Sequence, residues 1–186
     1  MGQNSQVKDR VMNAAAVVLQ ETGKLSQPQV AKAAGVPQGH LTYYFPRKVD
    51  LLEAVADRFV NDITKKIAEA VTALDWEAGR PDITAIRRLG AEFATNREQT
   101  RSLLGLLVEG EKHPRVVAGL QAGAENLRML LAQAHGVSAD DARLHFILSS
   151  VWGVAVQHLL FPLRSDEQTC EQLAVLHAAV DSWFSV

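Results

Sequence analysis

The sequence predicts an all-α chain: an N-terminal three-helix domain, a long fourth helix, and a C-terminal helical bundle. Three observations point there. Apolar residues recur at spacings of three and four through nine successive segments, the breaks between them are short and rich in Gly or Pro, and no segment shows convincing strand alternation. A composition of 47% hydrophobic and 22% charged residues with 6 prolines in 186 residues fits a globular protein with a real core.

The first helix is expected from about Gln6 to Glu21, where Val7, Val11, Ala14, Ala15, Val18 and Leu19 form one apolar stripe ended by Gly23. Ser26 follows as an N-cap with Gln29 three residues on, the spacing of a capping box, and Pro28 falls in the first turn, where its missing N–H does no harm. This second helix runs to about Ala34. Gly35 allows a tight turn, Val36 can plug the angle between two helices, and Gln38 to Phe45 forms a third short helix before Pro46. From Arg47, the residues Leu51, Leu52, Val55, Phe59, Ile63, Ile67, Ala70, Val71 and Leu74 mark a long fourth helix broken by Gly79-Arg80-Pro81. Further helices are expected at about 82–96, 98–109, 114–135, 140–161 and 166–184.

Charge is divided unevenly. Residues 1–50 carry six Lys or Arg against three Asp or Glu, a net +3, so a chain with net charge −2 holds −5 in the remainder. Local binding of phosphates by the first segment would require such an asymmetry. The stretch 26–45 also has helix-turn-helix grammar: Ala31 is small where two helices cross, Gly35 turns the chain, and Val30, Val36, Leu41 and Phe45 supply a small core.

Val30-Ala31-x-x-Ala34-Gly35-Val36, followed by Leu41-x-Tyr43-Tyr44-Phe45-Pro46-x-Lys48-x-x-Leu51-Leu52, closely resembles the DNA-binding segment of the TetR family of bacterial regulators. The resemblance covers about residues 7–55; beyond them it is architectural only. It implies about nine helices, a DNA-binding domain at 1–50 and an effector-binding and dimerisation domain at 51–186. It further implies a homodimer made by the last two helices and a small-molecule pocket that controls operator binding, commonly as a repressor.

On that footing the third helix enters the major groove, presenting Pro37, Gln38, Gly39, His40 and Tyr43. Gln38 is the lead base reader, since its amide can pair bidentately with adenine, while His40 can meet a base edge or a phosphate. Gly39 permits close approach of backbone to DNA. The resemblance assigns phosphates to Tyr43, Tyr44 and Lys48, with Ser26 and Gln27 adding contacts at the start of the second helix. Core packing is the competing role for Tyr44 and Phe45. Two positions depart from the family pattern: Thr42 stands where Tyr is usual, and Pro37 where a Ser or Thr cap is usual, so contacts inherited at these two sites are open.

In the second half, Leu144 to Phe161 is apolar and lacks Asp, Glu, Lys and Arg. A helix set between a partner subunit and an internal pocket explains it better than a membrane span. Val151, Ala155 and Leu159, with Leu173, Leu176, Val180 and Trp183 of the last helix, are the candidate dimer residues. Candidates for the pocket are Phe59, Phe93, Leu103, Leu107, Met129 and Trp152, with Asn96, His145, Ser149 and His158 as polar groups. Cys170 is expected as a small packing residue near the helix seam.

The alternatives are narrow. Asp141, His145 and Ser149 at i,i+4 spacing imitate an acid–base–nucleophile series, but no nucleophile elbow or identifiable oxyanion donors accompany them, so no enzyme is expected. The 6 histidines are scattered, with no metal-binding spacing, and no cofactor is expected. One cysteine and a polar N-terminus without an apolar signal core suggest the cytoplasm and no membrane association. A helical binding protein without specific DNA affinity is the runner-up.

Overall fold

A computed structural model describes residues 2–73, 76–77, 80–81, 83–161 and 165–184, without the side chains of 2–5, 76–77, 80–81, 181 and 184. The helices are α1 (Gly2–Thr22), α2 (Gln27–Ala34), α3 (Gln38–Tyr44), α4 (Lys48–Thr72), α5 (Thr84–Thr95), α6 (Arg97–Gly110), α7 (Pro114–His135), α8 (Ala142–Leu160) and α9 (Asp166–Phe184). The expected α1 start at Gln6 is earlier in the structure, at Gly2. Between α4 and α5 lies a minimal antiparallel ladder, β1 (Trp76–Glu77) and β2 (Arg80–Pro81), pairing Trp76 with Pro81 and Glu77 with Arg80. The sequence has no strand pattern here because two residues per strand are too few to show alternation. The expectations for Leu74, Gly79, Asp82 and 162–164 lie outside the described residues.

By packing, the chain divides into two units. The first comprises 1–61 and 101–122. Its core joins Val11, Ala15, Val18 and Leu19 of α1, Val30 and Ala31 of α2, Leu41 and Phe45, Leu51, Leu52 and Val55 of α4, Leu106 of α6 and Val116 of α7. A Cβ on Gly105 would lie 2.5 Å from the Gly23 carbonyl oxygen and 2.9 Å from Leu19 Cδ1, so only glycine lets α6 lie this close to the end of α1.

The second unit comprises 62–100 and 123–186. One cluster gathers Ile67, Val71, Ile86, Leu131, Ala134, Leu144, Ile147 and Val180; another gathers Ala94, Val154, Ala155 and Leu173. The apolar α8 thus buries Leu144, Ile147, Val154, Ala155 and His158 within the chain. Among the described residues no helix is long and apolar enough to cross a membrane.

Asp141 caps α8. Its carboxylate accepts from the Arg143 backbone N–H at 2.9 Å and from the Arg143 guanidinium, Nε at 2.9 Å and Nη2 at 2.6 Å. These hydrogen bonds hold Asp141 at about 2, below the ordinary 3.8. A depressed carboxylate stabilises the fold above its unfolded value, and that contribution is lost as pH falls through its folded value. Acid titrations of helicity for the wild type and Asp141→Asn are therefore expected to differ above pH 3.8 and to converge near pH 2. Curves that stay parallel throughout would show that the pair does not titrate in this way.

Candidate DNA-reading surface

The turn between α2 and α3 follows from backbone chemistry. Gly35 takes the left-handed conformation, φ 62° and ψ 37°. Its N–H donates to the Lys32 carbonyl at 3.2 Å while the Val36 N–H donates to the Ala31 carbonyl at 3.1 Å. This is the Schellman arrangement, completed by burial of Val36 beside Ala31 and Val30. Pro37 then opens α3 with φ −57°; the His40 N–H donates to its carbonyl at 2.9 Å, and no side-chain capping bond is made.

Two faces of α3 separate cleanly. Leu41 is 0% exposed, and Phe45, just past the helix end, is also buried, anchoring the helix to the core. Pro37, Gln38, Gly39 and His40 are exposed, and Tyr43 is 73% exposed. Nothing lies within 4 Å of a Cβ built on Gly39. Thr42 is half-buried and turns its hydroxyl back to the carbonyls of Gln38 and Gly39, at 3.2 and 3.1 Å. Tyr44 is half-buried against the first core and meets Tyr43 edge-on, ring centroids 5.1 Å apart.

At α2 the expected capping box does not form. Ser26 is the N-cap, in extended conformation, yet its hydroxyl makes no capping bond. Pro28 has already removed one of the two N–H groups such a cap uses. Gln27 is engaged within the motif itself, since its Nε2 donates to the Phe45 carbonyl at 2.8 Å and ties the start of α2 to the end of α3.

The start of α4 holds two cations, each engaged. Arg47 pairs with Asp50, which also accepts the Arg47 backbone N–H at 2.8 Å; these hydrogen bonds hold Asp50 below the usual carboxylate range. Lys48 pairs with Glu109 of α6. Sequence spacing offered a signal for Arg47–Asp50, three residues apart on a helix start. It offered none for Lys48 and Glu109, 61 residues apart.

The pocket candidates are dispersed. Phe59, Leu103 and Leu107 belong to the first unit and the other seven to the second. Phe59 is half-buried against the first core, Leu103 is buried, and Leu107, Met129, His145 and Ser149 are exposed. Asn96, also exposed, caps α6 by accepting from the Gln99 N–H at 2.8 Å. The structure does bring Phe93 and Trp152 together, centroids 5.9 Å apart. His158 is 2% exposed; its Nδ1 lies 2.8 Å from Thr169 Oγ1, while its Nε2, although 3.2 Å from Asp166 Oδ1, is not aligned for a hydrogen bond.

Of the dimer candidates, Ala155, Leu173 and Val180 are buried within the chain itself, where they join α8 and α9 to its core clusters. Val151, Leu159 and Leu176 are half-buried, and Trp183 is exposed. The apolar residues that face outward on α8 and α9 include Phe146, Leu160 and Val175, with Phe161 just past the end of α8. Cys170 is exposed rather than packed; the inward position is its neighbour Thr169.

A short helix held by Leu41 and Phe45, set on a left-handed glycine turn with its polar face bare, has the geometry of a helix-turn-helix. Residues 11–55 match the family of bacterial regulatory proteins, tetR family. The chain is 29% identical over 168 residues to the HTH-type transcriptional regulator CymR of Pseudomonas putida, covering 83% of this chain and 80% of that protein. In fold it is similar to a transcriptional regulator from Rhodococcus sp. Rha1, with a TM-score of 0.78 at 19% identity, over 94% of this chain and 95% of that one. It is also similar to the multidrug binding protein EbrR complexed with imidazole, with a TM-score of 0.64 at 26% identity, over 90% and 93% of the chains. The tetR-family match covers the helix-turn-helix segment, and along most of its length the chain is similar to proteins named as transcriptional regulators.

Proposed function

We propose that the protein is a repressor that binds a palindromic operator as a homodimer and leaves it when a small molecule occupies the C-terminal domain. The division into a reading domain at 1–50 and an effector and dimer domain at 51–186 is part of that proposal. The bare polar face of α3, held by Leu41, carries the reading. Gln38 is the lead base reader, beside His40 and Tyr43, with Lys48 on phosphate; Ser26 and Tyr44 are auxiliary phosphate contacts, while Gln27 is committed to the Phe45 carbonyl.

The homodimer is supported by the outward apolar set on α8 and α9. Phe146 and Trp183 meet edge-on, centroids 5.0 Å apart, and with Ala142, Arg143 and Ser182 line an open apolar depression. For the effector, Phe93 and Trp152 are the best-supported contacts, with the unmet Nε2 of His158 as the polar group. The similarity to EbrR, named a multidrug binding protein and complexed with imidazole, supports a small-molecule ligand.

Footprinting on duplexes selected from a random pool tests the whole: two half-sites about 34–36 Å apart are expected, matching a two-fold dimer. Replacement of Gln38 by Ala is expected to relax preference at one base position per half-site and to cost about 1–3 kcal/mol for each lost bidentate contact. Unchanged base preference in that variant would remove Gln38 as the reader. A single unrepeated footprint would overturn the dimer.

A further inference from the structure

We infer that Glu109 is a built-in competitor for the phosphate assigned to Lys48, and that the Lys48–Glu109 pair sets how tightly the protein holds DNA. This rests on Lys48 being a phosphate contact. The Lys48 ammonium is paired with the Glu109 carboxylate across α4 and α6 of the first unit. The Lys48 side chain is 48% exposed, open to an incoming phosphate, whereas the Glu109 side chain is 17% exposed. The other cation at the start of α4, Arg47, is engaged by Asp50 and offers no unpaired substitute.

Binding at this point is therefore an exchange of one anion for another. A phosphate reaching Lys48 meets the Glu109 carboxylate at close range, and like charges there repel. A lysine already neutralised by a carboxylate also releases less from the counterion atmosphere of DNA than an unpaired one. Removing the carboxylate charge while keeping its shape leaves Lys48 unmasked. The lever acts on all DNA sequences alike, since phosphate contacts carry no base information.

The test is fluorescence anisotropy with a selected duplex and a scrambled one at several salt concentrations, with thermal unfolding as a check on folding. Glu109→Gln is expected to tighten binding to both duplexes by about two- to fivefold at low salt, the size expected of a partly exposed ion pair. The slope of log K against log salt is expected to steepen by up to about one. Glu111→Gln, removing the exposed acid two residues on, is expected to do less. In a Lys48→Ala background the Glu109→Gln effect is expected to vanish.

Weaker binding by Glu109→Gln, with Lys48→Ala also weak, would overturn competition and make Glu109 a residue that orients Lys48. An equal gain in the Lys48→Ala background, or from Glu111→Gln, would reduce the effect to overall charge. Wild-type affinity in Lys48→Ala alone would instead remove Lys48 as a phosphate contact, and the competition with it.

Discussion

Leu41→Ala is expected to destabilise the first unit by about 2–5 kcal/mol, the range for truncating a large aliphatic side chain in a packed core. Leu41 is 0% exposed and packs in one cluster with Val30, Val36, Phe45, Leu51 and Leu52. α3 is only 7 residues long, below the length at which a helix persists alone in water, so its position depends on this burial. Loss of specific DNA binding should therefore precede global unfolding on a urea titration. Leu41→Met, which nearly conserves volume, is expected to retain binding and to cost less than about 1.5 kcal/mol. A Leu41→Ala protein with unchanged urea midpoint and unchanged operator affinity would show that α3 is not held by this contact.

Gly105→Ala is the second large effect, and its sign is set by position. In an exposed helix interior, replacing Gly by Ala gains about 0.8–1 kcal/mol through helix propensity. At Gly105 the new methyl would sit 2.5 Å from the Gly23 carbonyl oxygen and 2.9 Å from its carbonyl carbon. Backbone cannot rotate away as a side chain can. Overpacking of this kind typically costs about 1–3 kcal/mol, enough to reverse the propensity gain. Gly90→Ala in α5 is the control: nothing lies within 4 Å of its added Cβ, so a gain in stability is expected there. Equal stabilisation by both substitutions would contradict the close approach of α6 to α1. Because Gly23 ends α1 just before the helix-turn-helix, the Gly105→Ala cost should be accompanied by weakened DNA binding.

Local chemistry explains which parts of this structure were legible in the sequence. Gly35 and Val36 mark their turn because a left-handed backbone and a buried plug leave residue-type signatures within two positions. Gln38 and His40 were named through the resemblance; the structure leaves both exposed, while Leu41 of the same helix is buried. Helix limits follow from periodicity and were close, although the β1–β2 ladder was invisible at two residues per strand.

The misses are tertiary. Ser26 and Gln29 have capping-box spacing, yet with Pro28 between them the box is not made. Gln27 and Asn96 look like free polar groups until the Phe45 carbonyl and the Gln99 N–H are brought to them. On α9, Leu173 and Val180 share helical spacing with Trp183, and spacing alone does not say which flank of the stripe turns to the chain's own core. Cys170 beside Thr169 is the same problem at a one-residue offset. For the pocket, periodicity identifies apolar residues without saying which of them meet; Phe93 with Trp152 was brought together by folding, while Met129 and Leu107 were left exposed.

The most direct test of specific operator binding is equilibrium titration of the purified chain with a duplex selected from a random pool, against a scrambled duplex, across a range of salt. The selected duplex is expected to bind at least about 10³-fold more tightly, with log K falling linearly against log salt for both. Equal affinity for the two duplexes at every salt concentration would contradict a sequence-reading role for α3.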